Sequence, residues 1–238
     1  MSGHSKWSTI KRKKAVIDAS RGKAFTKLIK EITVAARVGG GDPNGNPRLR
    51  TLLDKAKAVN MPTDNAARAI KKGTGELPGQ SYEQITYEGY GPNGIAVIVD
   101  TLSDNKNRTV AEIRHAFSIK GGNVGETGSV NWMFEKLGVV RGEAKGFTED
   151  ELIEKLIDYE INDIKIDDAA IAVYCNAKAL YQVKTALESL GIKVDNADIE
   201  WVAKNKVELT DEQSEKAVEF LEALDDLDDV QNVYTNLA

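Results

Sequence analysis

The residues that could do chemistry near the start of the chain are a cluster of cations around one aromatic ring. Lys6 and Trp7 are followed by the basic run Lys11–Lys14. Lysine and arginine bind phosphate oxygens, and an indole ring can stack on a base or a sugar. This stretch therefore predicts a basic arm that contacts nucleic acid. Trp7 has a second interpretation of equal weight, as an apolar anchor that fixes the arm to a helical domain.

The charge of the chain divides near residue 75. Residues 1–75 hold 17 Lys and Arg against 5 Asp and Glu, a net +12, whereas residues 76–238 carry −17. A positive block on an otherwise acidic protein is typical of a polyanion site, most simply one for nucleic acid, although a solvated lysine-rich helical face is the alternative. The predicted nucleic-acid-binding residues are Lys6, Trp7, Lys11, Arg12, Lys13, Lys14, Arg21, Lys23, Lys27, Lys30, Arg48, Arg50, Lys55, Lys57, Arg68, Lys71 and Lys72.

Other chemistry is poorly represented in the sequence. The two histidines, His4 and His115, have no Cys or His neighbour at the spacing of metal ligands, so no metal site is expected. No spacing suggests a catalytic triad or a cofactor motif, and we expect neither an enzyme nor a cofactor. His115 is expected on a helix surface or at a domain boundary. The acidic run 225–229 lacks the central glycine and late glutamate of a calcium loop, which favours a solvated turn between a helix and a strand.

A glycine-rich segment at 121–128 resembles a phosphate-binding loop at first sight. It follows a predicted helix, whereas phosphate loops precede helix N-termini, where the backbone N–H groups are free. The segment therefore predicts a helix terminator and a turn. Trp132 and Trp201 lie in apolar stretches predicted as strands, and both are expected in a core or at a domain interface.

The basic half has the periodicity of three helices. Apolar residues recur at helical spacing up to residue 39, again from 49 to 59, and a third helix is expected from Thr63 or Asp64 to Gly73. The break at 60–62 resembles the joint of a helix-turn-helix, a feature that any small bundle shares. These three helices would carry the predicted nucleic-acid-binding Lys and Arg residues on their polar faces.

The acidic half alternates strands and helices. A linker is predicted at 75–81. Strands are predicted at 85–88, 95–101, 129–134, 169–175, 197–202 and 230–235, and helices at 109–119, 149–159, 177–190 and 211–224. The expected class is multidomain α+β: a basic three-helix domain (1–75), then two ferredoxin-like domains, the third (136–205) inserted into the second (79–135 plus 206–238).

Several bulk features bear on the location of the protein. Cys175, the single cysteine, lies in an apolar run and is expected as a buried hydrophobe. The N-terminus has no apolar core of a signal peptide, and the longest apolar stretches have only the length of a strand. We expect a cytoplasmic protein with no membrane partner and no small-molecule ligand.

Several longer motifs stand out along the chain. They are Gly3-His4-Ser5-Lys6-Trp7, Arg21-Gly22-Lys23, Gly39-Gly40-Gly41-Asp42-Pro43, Asn60-Met61-Pro62, Tyr87-Glu88-Gly89-Tyr90-Gly91-Pro92, Asp104-Asn105-Lys106-Asn107-Arg108-Thr109, Gly128-Ser129-Val130 and Asp229-Val230-Gln231-Asn232-Val233-Tyr234. These motifs are similar to those of the YebC/PmpR family, and the resemblance covers essentially the whole chain. Thr63 departs from the pattern, since Lys is common there in the family.

The resemblance implies three domains, one helical and basic and two α/β, around a central cavity or cleft. It also implies one of two functions. Family members are described as DNA-binding transcriptional regulators and as ribosome-associated translation factors, the latter including a mitochondrial activator of cytochrome oxidase subunit I and bacterial members linked to relief of stalling at proline runs. We therefore expect a nucleic-acid-binding regulator of gene expression, with DNA or ribosomal RNA, and so the ribosome, as the partner.

Overall fold

The computed structural model describes Trp7, residues 21–167 and residues 169–238, except for the side chain of Arg21. The first three helices are α1 (Arg21–Gly39), α2 (Pro47–Ala58) and α3 (Thr63–Thr74). Their shared core contains Ile32, Leu49 and Ala69. Gly73 lets α3 approach α1 closely, because a Cβ at this position would lie 2.4 Å from the backbone oxygen of Thr33. The predicted three-helix domain is present.

Asn46 fixes the geometry of the loop between the first two helices. Its side-chain oxygen accepts the N–H of Leu49 and caps α2, as the preference for Asn at this position predicts. Its amide donates to the backbone oxygens of Ala35 and Gly40, at 2.9 and 2.8 Å. One buried side chain therefore joins the end of α1 to the start of α2.

The remaining elements form two antiparallel sheets with helices packed on them. In chain order they are β1 (Glu83–Tyr90), β2 (Ala96–Ser103), α4 (Lys106–Ile119), β3 (Asn123–Val124), β4 (Phe134–Glu143), α5 (Glu149–Lys155), β5 (Ile161–Asp167), β6 (Ala170–Cys175), α6 (Leu180–Ser189), β7 (Val194–Ala203), α7 (Asp211–Asp225) and β8 (Val230–Thr235). Short 3-10 turns lie at Pro92–Gly94 and Asn131–Met133.

The pairing of the strands shows how the chain runs between the sheets. The first sheet has the order β3-β1-β2-β8 and the second has the order β5-β6-β4-β7. The second sheet and its two helices follow the order β-α-β-β-α-β of a ferredoxin-like unit. Because β8 pairs with β2, the chain returns to the first sheet after completing the second. The α+β class with an N-terminal helical domain is confirmed, and the predicted domain boundaries remain a prediction that this topology fits.

Each sheet has its own apolar core. In the first, α4 and α7 meet through Phe117 and Phe220, whose rings lie edge to face with centroids 5.0 Å apart. In the second, α5 and α6 cover the sheet, and Leu152, Val183 and Cys175 are buried. No helix in the described parts of the chain is long and apolar enough to span a membrane.

Three local predictions of secondary structure differ from the structure. The strand expected at 129–134 is wrong, since this segment forms a turn and β4 begins only at Phe134. The helix predicted to reach residue 159 ends at Lys155, where its last turn gives way to the connection into β5. Strands β3 and β5, and all of β4 beyond Phe134, were not predicted. Strands β3 and β5 lie at sheet edges, whereas β4 lies inside its sheet, between β6 and β7.

Candidate nucleic-acid interface

The face of α1 predicted to bind nucleic acid contacts the acidic turn between α7 and β8. Lysines spaced i, i+4 and i+7 share one face of a helix, and here all three reach carboxylates of the turn. The Nζ–Oδ1 pairs are Lys23–Asp226 at 3.1 Å, Lys27–Asp225 at 3.3 Å and Lys30–Asp229 at 2.8 Å. In this structure the three lysines bind the protein's own anions.

The same ammonium groups also donate to backbone carbonyls of the turn. Lys27 Nζ lies 3.1 Å from the oxygen of Asp225, Lys30 Nζ lies 3.0 Å from that of Asp228, and Lys23 donates to that of Asp226. The carbonyls at the C-terminal end of a helix carry partial negative charge and lack partners within the helix. The lysines of α1 therefore satisfy the end of α7, a structural role that their sequence positions do not reveal.

Asp229 is the centre of this junction. Its side chain is 2 % exposed, and its Oδ2 accepts from Arg108 Nη2 at 2.7 Å, Thr109 Oγ1 at 2.6 Å and Ser103 Oγ at 3.1 Å. Burial raises the pKa of the carboxyl, but the hydrogen bonds from Lys30, Thr109 and Arg108 outweigh burial and hold the pKa below its ordinary value. The hydrogen bond to Asp229 also raises the pKa of Arg108.

The acidic run therefore corrects one prediction. It does form the turn between a helix and a strand, but its last carboxylate is buried and bound by four side chains instead of being solvated. The reason lies in contacts distant in sequence. Lys30, Ser103 and Thr109 come from three other segments and supply the donors that solvent would otherwise provide.

A cleft of about 630 Å³ opens beside this junction, between α1 and the first sheet. Its walls carry three basic side chains, among them Lys30 and Arg108, and four acidic ones, among them Glu112 and Asp229. Lys30 Nζ also lies 5.8 Å from the ring centroid of Tyr82. The cleft fits the cavity that the family resemblance implies, but its mixed charge does not suit a phosphate backbone.

The second helix contacts the other sheet. Lys55 pairs with Asp198 on β7. The guanidinium of Arg50 stands 5.6 Å from the ring centroid of Tyr181 on α6, and it also donates to backbone oxygens of the loop before α2. Arg50 and Lys55, both predicted to bind nucleic acid, here join the helical domain to the second sheet.

Within the described part of the chain, the predicted nucleic-acid-binding residues that are exposed and have no ion pair lie on the outer parts of α2 and α3. Arg48, Arg68, Lys71 and Lys72 are exposed. Arg68, Lys71 and Lys72 are spaced i, i+3 and i+4 and so lie on one face of α3. Lys57 is also exposed, and its Nζ lies 3.2 Å from Asp54 Oδ1. A surface ion pair of this kind contributes little to stability, so Lys57 can readily exchange Asp54 for water or another anion.

Trp7 lies in the core of the first sheet. Its side chain is 4 % exposed, it packs with Val97 and Phe220, and its Nε1–H donates to the backbone oxygen of Val233 at 3.1 Å. A ring buried in this way cannot stack on a base, so the anchor interpretation fits and the stacking interpretation does not. The anchor is attached to β8 and not to the helical domain, which corrects the expected partner.

The glycine-rich segment does bind an anion, but the anion is internal. Glu88 on β1 is 4 % exposed, and its carboxylate accepts the backbone N–H groups of Gly128 at 2.9 Å, Val130 at 2.9 Å and Asn131 at 2.8 Å. The prediction of a helix terminator and turn is confirmed, with Gly121 in the left-handed region at φ 78°. We name residues 125–132 the Glu88 loop.

The structure also shows where the remaining residues with a predicted environment lie. Trp132, expected to be buried, is 63 % exposed at the end of the Glu88 loop. Trp201 packs where the two sheets meet, in contact with the cluster that contains Phe134. His115 is exposed on α4. Cys175 is buried as predicted, and burial raises the pKa of its thiol to about 11, which keeps it unreactive.

The arm residues Lys6, Lys11, Arg12, Lys13 and Lys14 lie outside the described residues, as does the side chain of Arg21. Their assignment to a nucleic-acid site stays a prediction.

Sequence reasoning missed four residues that make these contacts: Asp198 and Tyr181, which contact Lys55 and Arg50, Arg108, which binds Asp229, and Glu88, which binds backbone N–H groups. No local signal marks Asp198 or Tyr181, because their contacts join segments more than 130 positions apart. Glu88 carried a weak signal, since a charged residue within a strand that packs on a core is seldom buried without partners.

The fold and its charges define a class: a multidomain α+β protein whose basic helical domain is joined by ion pairs to both acidic sheet units. Comparison with known proteins adds the family. Residues 5–76 match the TACO1/YebC protein N-terminal domain, and residues 82–237 match the TACO1/YebC second and third domain. The chain belongs to the TACO1/YebC family.

Similar proteins span almost the same length. A protein of Chlorobaculum tepidum is 54 % identical over all of this chain and 95 % of its own length, and one of Desulfotalea psychrophila is 54 % identical over 99 % and 95 %. Both are named as probable transcriptional regulatory proteins, which supports a regulator of gene expression. The crystal structure of a conserved hypothetical protein from Aquifex aeolicus superposes with a TM-score of 0.85 at 45 % identity, covering 93 % of this chain and 92 % of that one.

Proposed function

We propose that this protein is a nucleic-acid-binding regulator of gene expression that contacts its polymer through the outer face of α3. The observation behind the proposal is the contrast between two sets of cations. The lysines of α1 are paired with the α7–β8 turn, whereas Arg68, Lys71 and Lys72 are exposed on one helical face without an ion pair in the described chain.

This face suits a phosphate backbone. Three cations within two turns of helix can each neutralise one phosphate and release its counterions. Such contacts position a protein on the polymer but do not read its sequence. The net +12 of residues 1–75 supports the same assignment, and the predicted arm at Lys11–Lys14 would add to it.

The polymer is duplex DNA or folded ribosomal RNA. The relatives are named as probable transcriptional regulatory proteins, and regulation of transcription favours duplex DNA as the partner. A helical face that contacts only the phosphate backbone also suits ribosomal RNA, because folded RNA is recognised largely by its shape and by the positions of its phosphates. The two alternatives differ in sequence preference: a transcriptional regulator prefers its site over random duplex by roughly 10³-fold or more, and a ribosome-bound factor has no such preference.

The test is the triple variant Arg68→Ala, Lys71→Ala, Lys72→Ala in the full chain. Affinity for random duplex DNA and for ribosomes is measured between about 50 and 200 mM salt. Each lost phosphate contact lowers the salt slope by about 1, so the slope is expected to fall by about 3. The matched control removes three cations of the α/β units, Lys120, Lys193 and Lys216, and is expected to bind like the wild type.

The outcomes separate the alternatives. A flat salt response of the wild type, or an equal loss in the control variant, would contradict the proposal. Preference for one duplex site with no protein in ribosomal fractions assigns the protein to transcription. Weak duplex discrimination, with co-sedimentation on ribosomes that is lost at high salt and in the triple variant, assigns it to translation.

A further inference from the structure

The Glu88 loop ends in an exposed indole that is held in place. The ring of Trp132 is 63 % exposed, and its Nε1–H donates to the backbone oxygen of Ser129 at 3.1 Å. The hydroxyl of Tyr90, a residue 37 % exposed, donates to the same oxygen at 3.2 Å. Two surface aromatic residues therefore share one acceptor, which fixes their relative position.

The backbone beneath the ring is equally constrained. The buried Glu88 carboxylate binds three N–H groups of the loop, up to Asn131, the residue next to Trp132. Gly125 contributes a further backbone bond, from its N–H to the oxygen of Glu88 at 2.9 Å. A large apolar side chain in a pre-ordered loop loses little entropy when it binds a partner.

A lysine is bound to the backbone of Trp132, and a second lysine lies on the neighbouring strand pair. Lys204 Nζ donates to the backbone oxygen of Trp132 at 3.0 Å, and its side chain is exposed. Lys136 lies directly opposite Trp201 in the β4–β7 pair, with its ammonium 4.4 Å from the Trp201 ring centroid. Because Phe134 pairs with Ala203, these two lysines and two indoles lie at the same end of the β4–β7 pair, and the Trp132 ring with the Lys204 ammonium suits an aromatic base with a phosphate beside it.

We propose that Trp132 is a stacking site for an unpaired nucleic-acid base, with Lys204 contacting the adjacent phosphate. The proposal rests on the proposed function and adds a second contact surface, on the α/β part of the chain. Bases inside a duplex are already stacked on each other, so only an unpaired or extruded base reaches the ring. The polymer would therefore be held by its backbone at α3 and by a base at Trp132.

The experiment compares Trp132→Ala and Trp132→Phe with the wild type in the full chain. The probes are a single-stranded oligonucleotide and a duplex of the same length, each titrated at fixed salt. Stacking on an aromatic side chain is worth about 1–3 kcal/mol per base, so Trp132→Ala is expected to weaken single-strand binding by about 5- to 150-fold. Trp132→Phe is expected to recover part of the loss, and duplex binding to stay unchanged.

The control variant is Ile157→Ala, which removes a 75 % exposed apolar side chain elsewhere and is expected to bind both probes normally. A second readout is acrylamide quenching of tryptophan fluorescence, since Trp7 is buried and Trp132 is the most exposed of the three indoles. The single-stranded probe is expected to protect Trp132 from quenching.

Two results would overturn the stacking site alone: unchanged single-strand affinity in Trp132→Ala, or an equal loss for single strand and duplex. A Trp132 that stays fully quenchable with the probe bound would show that no base covers the ring and would also overturn it. If the wild type binds neither probe nor ribosomes, the proposed function itself is wrong, so the two failures are distinguishable.

Discussion

The ammonium of Lys30 lies 2.8 Å from the carboxylate of Asp229, and the two residues are 199 positions apart in the chain. Both side chains are largely withdrawn from solvent, 10 % and 2 % exposed. A pair in this setting joins the helical domain to the first sheet and offers little to a ligand. Lys30, although basic and correctly spaced for a polyanion face, therefore acts in the junction between domains.

The first prediction concerns the strength of this junction. Replacing Asp229 by Ala leaves the Lys30 ammonium without its partner and removes the acceptor shared by Arg108 and Thr109. Breaking a buried pair from one side costs about 3–5 kcal/mol, and we expect a loss of this size in the free energy of unfolding measured with urea. Asp226→Ala, which removes an exposed partner of Lys23, is expected to cost less than about 1 kcal/mol. Equal effects of the two variants would contradict the central role of Asp229.

The second prediction follows from the lowered pKa of Asp229. A carboxyl whose pKa is lower in the folded than in the unfolded protein stabilises the fold at pH values above its unfolded pKa, near 3.8, and this contribution is lost as the pH falls towards the folded pKa. The stability difference between the wild type and Asp229→Asn is therefore expected to be largest near neutral pH and to shrink as the pH falls from about 5 to 3. Urea unfolding across this range measures it. A difference that stays constant would show that the carboxyl titrates alike in both states.

Much of the fold could be predicted from the sequence because its elements obey local rules. The helices α4 and α7 and the strands β2 and β8 carry strong apolar periodicity, and their predicted positions agree with the structure within a few residues. The segment 129–134 failed for a physical reason. Its residues are apolar enough for a strand, but the buried carboxylate of Glu88 takes the N–H groups that a strand partner would need.

The candidate site could be predicted only in part. Composition located the positive charge in residues 1–75, but it could not show which cations the acidic half would neutralise. That depends on which faces meet in the folded chain: Lys27 meets Asp225, and Lys55 meets Asp198, whereas Arg68 meets no carboxylate in the described structure. Similarly, the sequence left two interpretations open for Trp7, of which the buried anchor fits, and placed Trp132 wrongly in a core, because burial of an aromatic ring is decided by tertiary packing and not by its neighbours in sequence.

The third prediction tests the anchor role of Trp7. Replacing a buried Trp by Ala costs about 3–5 kcal/mol, so Trp7→Ala is expected to lower the thermal midpoint strongly while the folded fraction retains its affinity for nucleic acid. Trp7→Phe keeps a ring in the core but leaves the backbone oxygen of Val233 without its donor, at a cost of about 1 kcal/mol. Calorimetry and a binding titration below the transition measure both effects. Reduced affinity with unchanged stability would restore the stacking interpretation.

The last prediction concerns Glu88, whose carboxylate orders the loop that presents Trp132. In Glu88→Ala the N–H of Val130 loses its acceptor inside the protein, and one orphaned buried donor costs about 1–3 kcal/mol of stability. The N–H groups of Gly128 and Asn131 are only partly buried, so water can replace the carboxylate there and the loop is expected to loosen instead of the whole domain unfolding.

Faster amide exchange at residues 128–131 and lower fluorescence anisotropy of Trp132 would report this loosening. Glu126→Ala, which removes an exposed carboxylate from the same loop, is expected to change neither. If Glu88→Ala also left both readouts unchanged, the loop would be ordered by its own turns, and Glu88 would not be the residue that holds Trp132 in place.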